Sequence, residues 1–254
     1  MAQEKKNSTA IDVRSFSKVA IPHLERIVEA NAAIMSELVD QIVRDVNDGK
    51  SLFAFGSGHA AIFTQELYHR AGGCSFLVPV FADYLLPTAG PPVVRVLERT
   101  AAAANMMLAR AQPKAGEMIW ISSQSGINPA VVDFALEAKK LGLFTVAFTS
   151  VEHSSQVASR HTSGKRLYEV CDRTVDTGGY RGDACLDIAE GVRAGPLSSL
   201  GSILLGHSIL AAACAKLEAA GVRCTYTSVN TPEGETRNKD LEKRAMIRDP
   251  LLRG

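Results

Sequence analysis

From Ile21 to Val46 the apolar residues fall at helical spacing: Leu24, Ile27, Val28, Ile34, Met35, Leu38, Val39, Ile42, Val43 and Val46 form one stripe. Such a stripe predicts a long amphipathic helix. It is bent near Ala30-Asn31 and closed by Asp48-Gly49-Lys50. The stripe is wide for a helix that covers one sheet face, so a second subunit is another surface it could meet.

Beyond it the pattern changes to short unbroken apolar runs, each followed by a turn and a helical segment. Residues 51–55 predict a buried strand that enters the tight turn Gly56-Ser57-Gly58-His59. Residues 60–70 predict a helix ended by Gly72-Gly73, and residues 75–80 a second strand, placed at an edge or a strand end by Pro79. Residues 82–95 are broken by Pro87, Gly90, Pro91 and Pro92, and residues 96–111 are alanine-rich and helical. Residues 117–122 are a strand and 123–128 a loop. Residues 129–141 are a helix with Asn128 as N-cap and Pro129 at its first position, and residues 143–149 are again a strand. That is a βαβ unit, and strands buried on both faces read as continuous apolar runs.

The rest follows the same alternation with weaker signals. Residues 150–164 read as a polar loop, 166–172 as a short helix, 173–176 as a strand and 178–196 as mostly loop. Residues 197–220 read as a long helix, and the charged segment from Pro232 lies over the surface. The expected architecture is α/β: a doubly wound, mostly parallel sheet in a three-layer sandwich with an N-terminal helical extension. The expected organisation is a helical segment over residues 1–48, one domain over 49–229 and a charged tail over 230–254. Residues 1–15 are polar and expected to fray.

Composition narrows the function classes. Hydrophobic residues make up 46% and charged residues 22% of the chain, as in ordinary globular proteins. Lys plus Arg number 28 against 27 Asp plus Glu, a net charge of +1. That balance gives no electrostatic case for nucleic acid or an anionic membrane surface. No apolar run is read as a bilayer span, the N-terminus Met1 to Lys6 lacks a signal-peptide core, and a cytoplasmic location is expected. Five scattered cysteines without a CxxC pair fit reduced, buried thiols.

Ligands of open parallel sheets sit beyond the carboxyl ends of the strands. Two loops hold that position, Gly56 to His59 and Ser122 to Asn128. A helix start offers unpaired N–H groups and the positive end of the macrodipole. Hydroxyls at Ser123 and Ser125, the amide of Gln124 and the close approach allowed by Gly126 suit a phosphate. The first loop lacks the third glycine of a dinucleotide fingerprint and the Gly-Lys-Ser/Thr ending of a P-loop. Taken alone, it also reads as a structural turn.

Together, strand, Gly-Ser-Gly-His, helix, then strand, Ile-Ser-Ser-Gln-Ser-Gly-Ile-Asn-Pro, helix resembles the sugar isomerase (SIS) domain of phosphosugar isomerases and phosphosugar-binding regulators. The likeness runs from about Leu24 to Val229. Residues 159–165, Ser-Arg-His-Thr-Ser-Gly-Lys, resemble a segment of a bacterial single-domain group in that superfamily. The resemblance implies a phosphate cradle at Ser123, Gln124, Ser125 and Asn128, the last at a position usually held by threonine. It also implies a contribution from Ser57, Gly58 and His59, and a homodimer or dimer of dimers. Ala60 departs from the serine usual after that histidine, which removes one hydroxyl.

The expected activity is aldose–ketose isomerisation of a sugar phosphate, with no cofactor and no metal. It needs a base that moves a proton between C1 and C2, and an acid–base group that opens the ring. Glu66 is the first choice of base, because some relatives carry a catalytic glutamate on this helix. Glu98 is the second, read as opening a helix, where a carboxylate also simply complements the dipole. His59 and His161 are the candidates for ring opening, whereas His207 reads as a packed core residue. Arg160 and Lys165 could reach phosphate or a hydroxyl, and Asp183 a sugar hydroxyl. His59, Glu66 and His69 share a helix face but contain no compact metal-ligand pair. The alternatives are a non-catalytic sugar-phosphate sensor, a lyase or etherase acting on an amino-sugar phosphate, and a structural partner in an assembly.

Overall fold

A computed structural model of the chain describes residues 11–100 and 103–253. Of the N-terminal stretch expected to fray, residues 1–10 lie outside the described residues. The elements follow in the order α1 (Ser15–Asn47), β1 (Leu52–Gly56), α2 (Ala61–Leu67), β2 (Leu77–Val80), α3 (Pro91–Leu97), α4 (Ala104–Ala111), β3 (Met118–Ser122) and α5 (Pro129–Lys140). Next come β4 (Phe144–Thr149), α6 (Val151–Ser155), α7 (Leu167–Val170), β5 (Arg173–Asp176), the pair β6 (Ala184–Ala189) and β7 (Val192–Pro196), α8 (Ser198–Ala219) and α9 (Pro232–Ala245).

Strands β1 to β5 form one parallel sheet in the order β2-β1-β3-β4-β5. Alternation along each strand feeds two cores. Leu52, Ala54, Met118, Trp120, Val146 and Phe148 face α1, α2 and α8. Phe53, Phe55, Ile119, Ile121 and Ala147 face α4, α5 and α7. This three-layer α/β/α arrangement is the doubly wound fold that the strand–helix alternation predicted. Chain direction along the sheet reverses between β1 and β3, so the crevice for a ligand opens beyond Gly56 and Ser122, which are register partners. Pro79 falls on edge strand β2, where a missing N–H costs no ladder bond to a further strand.

The wide stripe of α1 is used within the chain. Ile27, Leu38 and Ile42 are buried, and Leu24, Val28, Ile34, Val43 and Val46 pack onto the same core. Asn31, where a bend is expected, tethers α1 to β5: its amide donates to Ile27 O at 2.6 Å and Asp176 O at 2.8 Å, and its Oδ1 accepts from Asp176 N. Helix α8 reads differently from the sequence expectation about membrane spans. By length and composition it could cross a bilayer, but half of its most apolar stretch is buried inside the protein. A core helix lying against a sheet and α1 has the same composition.

Several boundaries differ from expectation for tertiary reasons. α2 ends at Leu67, because Tyr68 turns extended and His69 adopts φ +37°. The Tyr68 hydroxyl donates to Asp249 at 2.7 Å and the His69 ring meets Glu242 at 3.0 Å, so the C-terminal segment pulls both residues out of the helix. The expected single helix over residues 96–111 is two helices, with residues 101–102 outside the described residues. Val151–Ser155 is a short helix capped by Ser150, not loop. Residues 184–196 form a hairpin, and the tail forms α9 with Leu241 and Asn238 buried.

Candidate functional site

A cavity of about 350 Å³ opens at the β1/β3 switch point. From the first loop it is lined by Ser57, His59 and Ala60, and from the second by Ser122, Ser123, Gln124, Ser125 and Asn128. Glu98, His153, Thr177, Gly182, Asp183 and the α8 residues Ser198, Ser199 and Ser202 complete most of its wall. Among the described residues, no lysine or arginine lines it.

The second loop turns its carbonyls outward. Gln124 O accepts from Ser150 N at 3.1 Å and from the Thr149 hydroxyl at 3.2 Å. Gly126 O accepts from Leu167 N, and Ile127 O from Arg160 N. The N–H groups of Gln124, Ser125 and Asn128 find no protein acceptor among the described residues. Gly126 supplies the turn: its φ is +60°, and a Cβ there would meet Thr149 Oγ1 at 3.0 Å. Ser123 Oγ accepts from Gly126 N at 3.2 Å and fixes the loop. Gln124 is held through its Oε1, which accepts from Thr177 Oγ1 at 3.0 Å, while its buried Nε2 has no protein partner among the described residues.

Asn128 stands at the N-cap of α5, but its side chain makes no capping bond. Its Oδ1 accepts from the Arg160 guanidinium at 2.8 Å instead. Arg160 therefore reaches the site indirectly, orienting the Asn128 amide so that its NH₂ is left to donate elsewhere. With α5 and α8 both starting at this cavity, the site collects N–H donors and positive dipole ends without a charged cation among the described residues.

Glu98 closes α3 rather than opening a helix: its N–H donates to Val94 O at 2.8 Å. A carboxylate at a helix C-terminus gains nothing from the macrodipole, so charge complementarity does not explain it. Its Oε1 accepts from Ser57 Oγ at 2.9 Å, and its backbone carbonyl accepts from Ala130 N in the first turn of α5. Gly58 makes room for it. The residue has φ +57°, and a Cβ there would lie 2.6 Å from Glu98 Oε1.

Asp183 also lines the cavity, with φ +69°. A left-handed backbone costs an L-residue about 1–2 kcal/mol. Its carboxylate offsets this by capping α8: Oδ1 accepts from Leu197 N and Ser198 N, and Oδ2 from Ser198 Oγ at 2.6 Å. The contact with sugar hydroxyls expected of Asp183 is thus largely replaced by a structural one.

Two expected catalytic residues lie elsewhere. Glu66 does not line the cavity. It is ion-paired with Arg70, four residues on and beyond the end of α2, and its Oε1 is 3.4 Å from His207 Nε2. The helical face that was to place Glu66 under His59 is interrupted, since Gly58–Ala60 is a tight 3-10 turn and α2 begins only at Ala61. His207 is not packed in the core but half-buried beside Glu66, and burial, with Arg70 adding to it, pushes its pKa down. His161 is a brace: Nε2 is 2.8 Å from Asp133 Oδ1 and Nδ1 is 2.7 Å from Ser163 Oγ, which ties residues 159–165 to α5. His59 stands exposed at the cavity mouth. No cluster of metal-ligating residues occurs among the described residues.

Sequence reasoning missed His153, Thr177, Ser198, Ser199 and Ser202. None belongs to a motif, and each reaches the cavity through the sheet order. Only the serine pair opening an apolar helix at 198–199 was a readable signal.

Residues 15–150 match the SIS domain family. A UPF0309 protein of Shouchella clausii is 32% identical over 224 residues, covering 87% of this chain and 91% of that protein. One from Listeria innocua is 30% identical over 246 residues, covering 94% and 98%. Among solved structures, a phosphoheptose isomerase from Francisella tularensis superposes with a TM-score of 0.51 at 13% identity, over 79% of this chain and 95% of that one. An Escherichia coli CFT073 protein in complex with arabinose 5-phosphate does so with a TM-score of 0.50 at 16% identity, over 82% and 89%. These two likenesses concern the fold. The family match over more than half of the chain, and the relatives aligned along nearly all of it, place this chain in the SIS domain family, among the UPF0309 proteins.

Proposed function

We propose that the chain is a phosphosugar isomerase that interconverts the aldose and ketose forms of a sugar phosphate through an enediol. The observation that carries the proposal is the union, in one cavity, of the loop 122–128, with its unpaired N–H groups and its hydroxyls, and the carboxylate of Glu98. The cradle suits a phosphate, and Glu98 is the lining carboxylate not committed to capping a helix. The arabinose 5-phosphate held by the Escherichia coli structure supports a ligand of this class. Ser123, Gln124, Ser125 and Asn128 bind the phosphate, with Ser57 and Gly58 holding Glu98 in place. Glu98 takes the proton from the carbon beside the carbonyl and returns it to the neighbouring carbon. His59, at the mouth, is placed to open the ring.

Glu66, the first choice of base from the sequence, becomes the second assignment, favoured by a specific observation. It forms a carboxylate–imidazole pair with His207, outside the cavity wall of a single chain. A panel of sugar phosphates incubated with the protein in D₂O tests both. Exchange of a C2 proton that disappears in Glu98→Gln and persists in Glu66→Gln supports Glu98 as the base. The reverse pattern moves the base to Glu66, and tight binding without exchange leaves a sensor.

A further inference from the structure

The cavity holds one more titratable group that no motif marks. His153 sits in α6, just beyond the carboxyl end of β4, and its ring lines the cavity that contains Glu98. Three bonds fix its place. Its N–H donates to the Ser150 hydroxyl at 3.2 Å, and that hydroxyl donates to Gly179 O at 2.8 Å. The neighbouring Val151 N–H donates to Asp176 Oδ1 at 3.0 Å. The ring itself is held by Gly182, whose backbone N–H donates to Nδ1 at 3.2 Å.

That last bond settles the tautomer. A backbone N–H only donates, so Nδ1 must accept and carries no proton. The neutral ring then bears its proton on Nε2, which makes no hydrogen bond within the protein among the described residues. Burial pushes the His153 pKa below its ordinary value. The nearby Asp183 pulls in the opposite direction, and Arg181 adds to the fall. A neutral imidazole with a fixed N–H is suited to polarise a carbonyl at neutral pH.

We infer that His153, through Nε2–H, is the proton donor to the carbonyl oxygen of the substrate, acting opposite Glu98. The assignment rests on the isomerase reading proposed for this cavity. As Glu98 takes the C2 proton, the C–H electron pair becomes the C1–C2 double bond and the carbonyl π pair moves to O1. The negative charge develops on O1 against Nε2–H. His153 passes its proton to O1 and takes the proton of O2, so the ring ends neutral. Glu98 returns its proton to C1 as O2 becomes the new carbonyl. No oxidant, metal or second substrate is required.

The test uses the full chain and the sugar phosphate that the wild type turns over. His153→Phe removes the donor, whereas His153→Gln keeps an amide N–H but cannot relay a proton. The expected result is a kcat lower by about 10²-fold in His153→Phe. The dissociation constant should stay within about threefold, and His153→Gln should recover about tenfold of the rate. An active wild type whose kcat is unchanged in His153→Phe overturns this assignment and leaves the isomerase reading standing. Equal losses of binding and rate show a structural role and overturn it too. Should His153→Phe fail to fold, a wild-type kcat in His153→Gln overturns it alone. A wild type inert toward the whole panel sinks both readings together.

Discussion

Replacing Gly58 by alanine separates the placement of Glu98 from simple loss of stability. Alanine at φ +57° pays the left-handed backbone cost of about 1–2 kcal/mol. In a domain of this size that lowers Tm by roughly 2–8 °C, taking about 2–4 °C per kcal/mol. Its Cβ would also fall 2.6 Å from Glu98 Oε1 and 3.3 Å from the carboxyl carbon. Ordinary contacts between heavy atoms lie at about 3.5 Å. The flexible glutamate therefore gives way by on the order of 1 Å, a misplacement that costs about 10²-fold in rate. Gly49→Ala is the control. Gly49 has φ +74°, and a Cβ added there would meet nothing within 4 Å, at the far end of α1 from the cavity. Thermal denaturation and C2-proton exchange on both variants give the comparison. Similar Tm losses with a rate deficit confined to Gly58→Ala are expected. Equal rates in the two variants would refute the claim that Glu98 must sit where Gly58 lets it.

Three other outcomes follow from the same geometry. Arg160→Ala should release the Asn128 amide and weaken sugar-phosphate binding about tenfold, or ~1.4 kcal/mol; unchanged calorimetric affinity would remove Arg160 from the site. His161→Ala should leave the Asp133 carboxylate, one of whose oxygens already lacks a partner, unpaired. It should lose about 1–3 kcal/mol of stability in denaturant titration with sugar-phosphate affinity retained, whereas lost affinity at full stability would return His161 to the site. Glu218 gives a pH signature. Burial raises its pKa, but the Cys224 N–H, the Arg237 guanidinium and the Thr225 N–H outweigh that and hold it at about 2. A depressed pKa stabilises the folded state above the unfolded carboxyl value of about 4.5, and that contribution fades as pH falls toward 2. The Tm gap between wild type and Glu218→Gln should therefore be widest near pH 6 and narrow by pH 3; a constant gap would contradict it.

What the sequence made legible is local. Unbroken apolar runs ending in Gly56 and Ser122 identified strands buried on both faces, and Asn128-Pro129 marked the start of α5. Strand plus loop plus helix start was enough to find the candidate phosphate cradle. What it left hidden depends on contacts distant in the chain. Tyr68 leaves its helix because of Asp249, 181 residues away. Glu98 acquires meaning only when α3 docks against Ser57, 41 residues earlier. His153 reads as one histidine in a polar stretch until Gly182 fixes its ring. Asp183 looked like a ligand contact because its bonds to the start of α8 depend on a hairpin folded between them. The helix face expected to be shared by His59 and Glu66 does not form for a related reason: periodicity assumes one uninterrupted helix, and the 3-10 turn at Gly58–Ala60 breaks it.

If the cradle and Glu98 act on one sugar phosphate, a single comparison exposes it. Proton exchange at C2 in D₂O is followed by NMR for wild type and Glu98→Gln, with binding measured alongside. Exchange is expected in the wild type and should fall by at least about 10²-fold in Glu98→Gln, with affinity for the sugar phosphate retained. Undiminished exchange in Glu98→Gln would contradict the assignment.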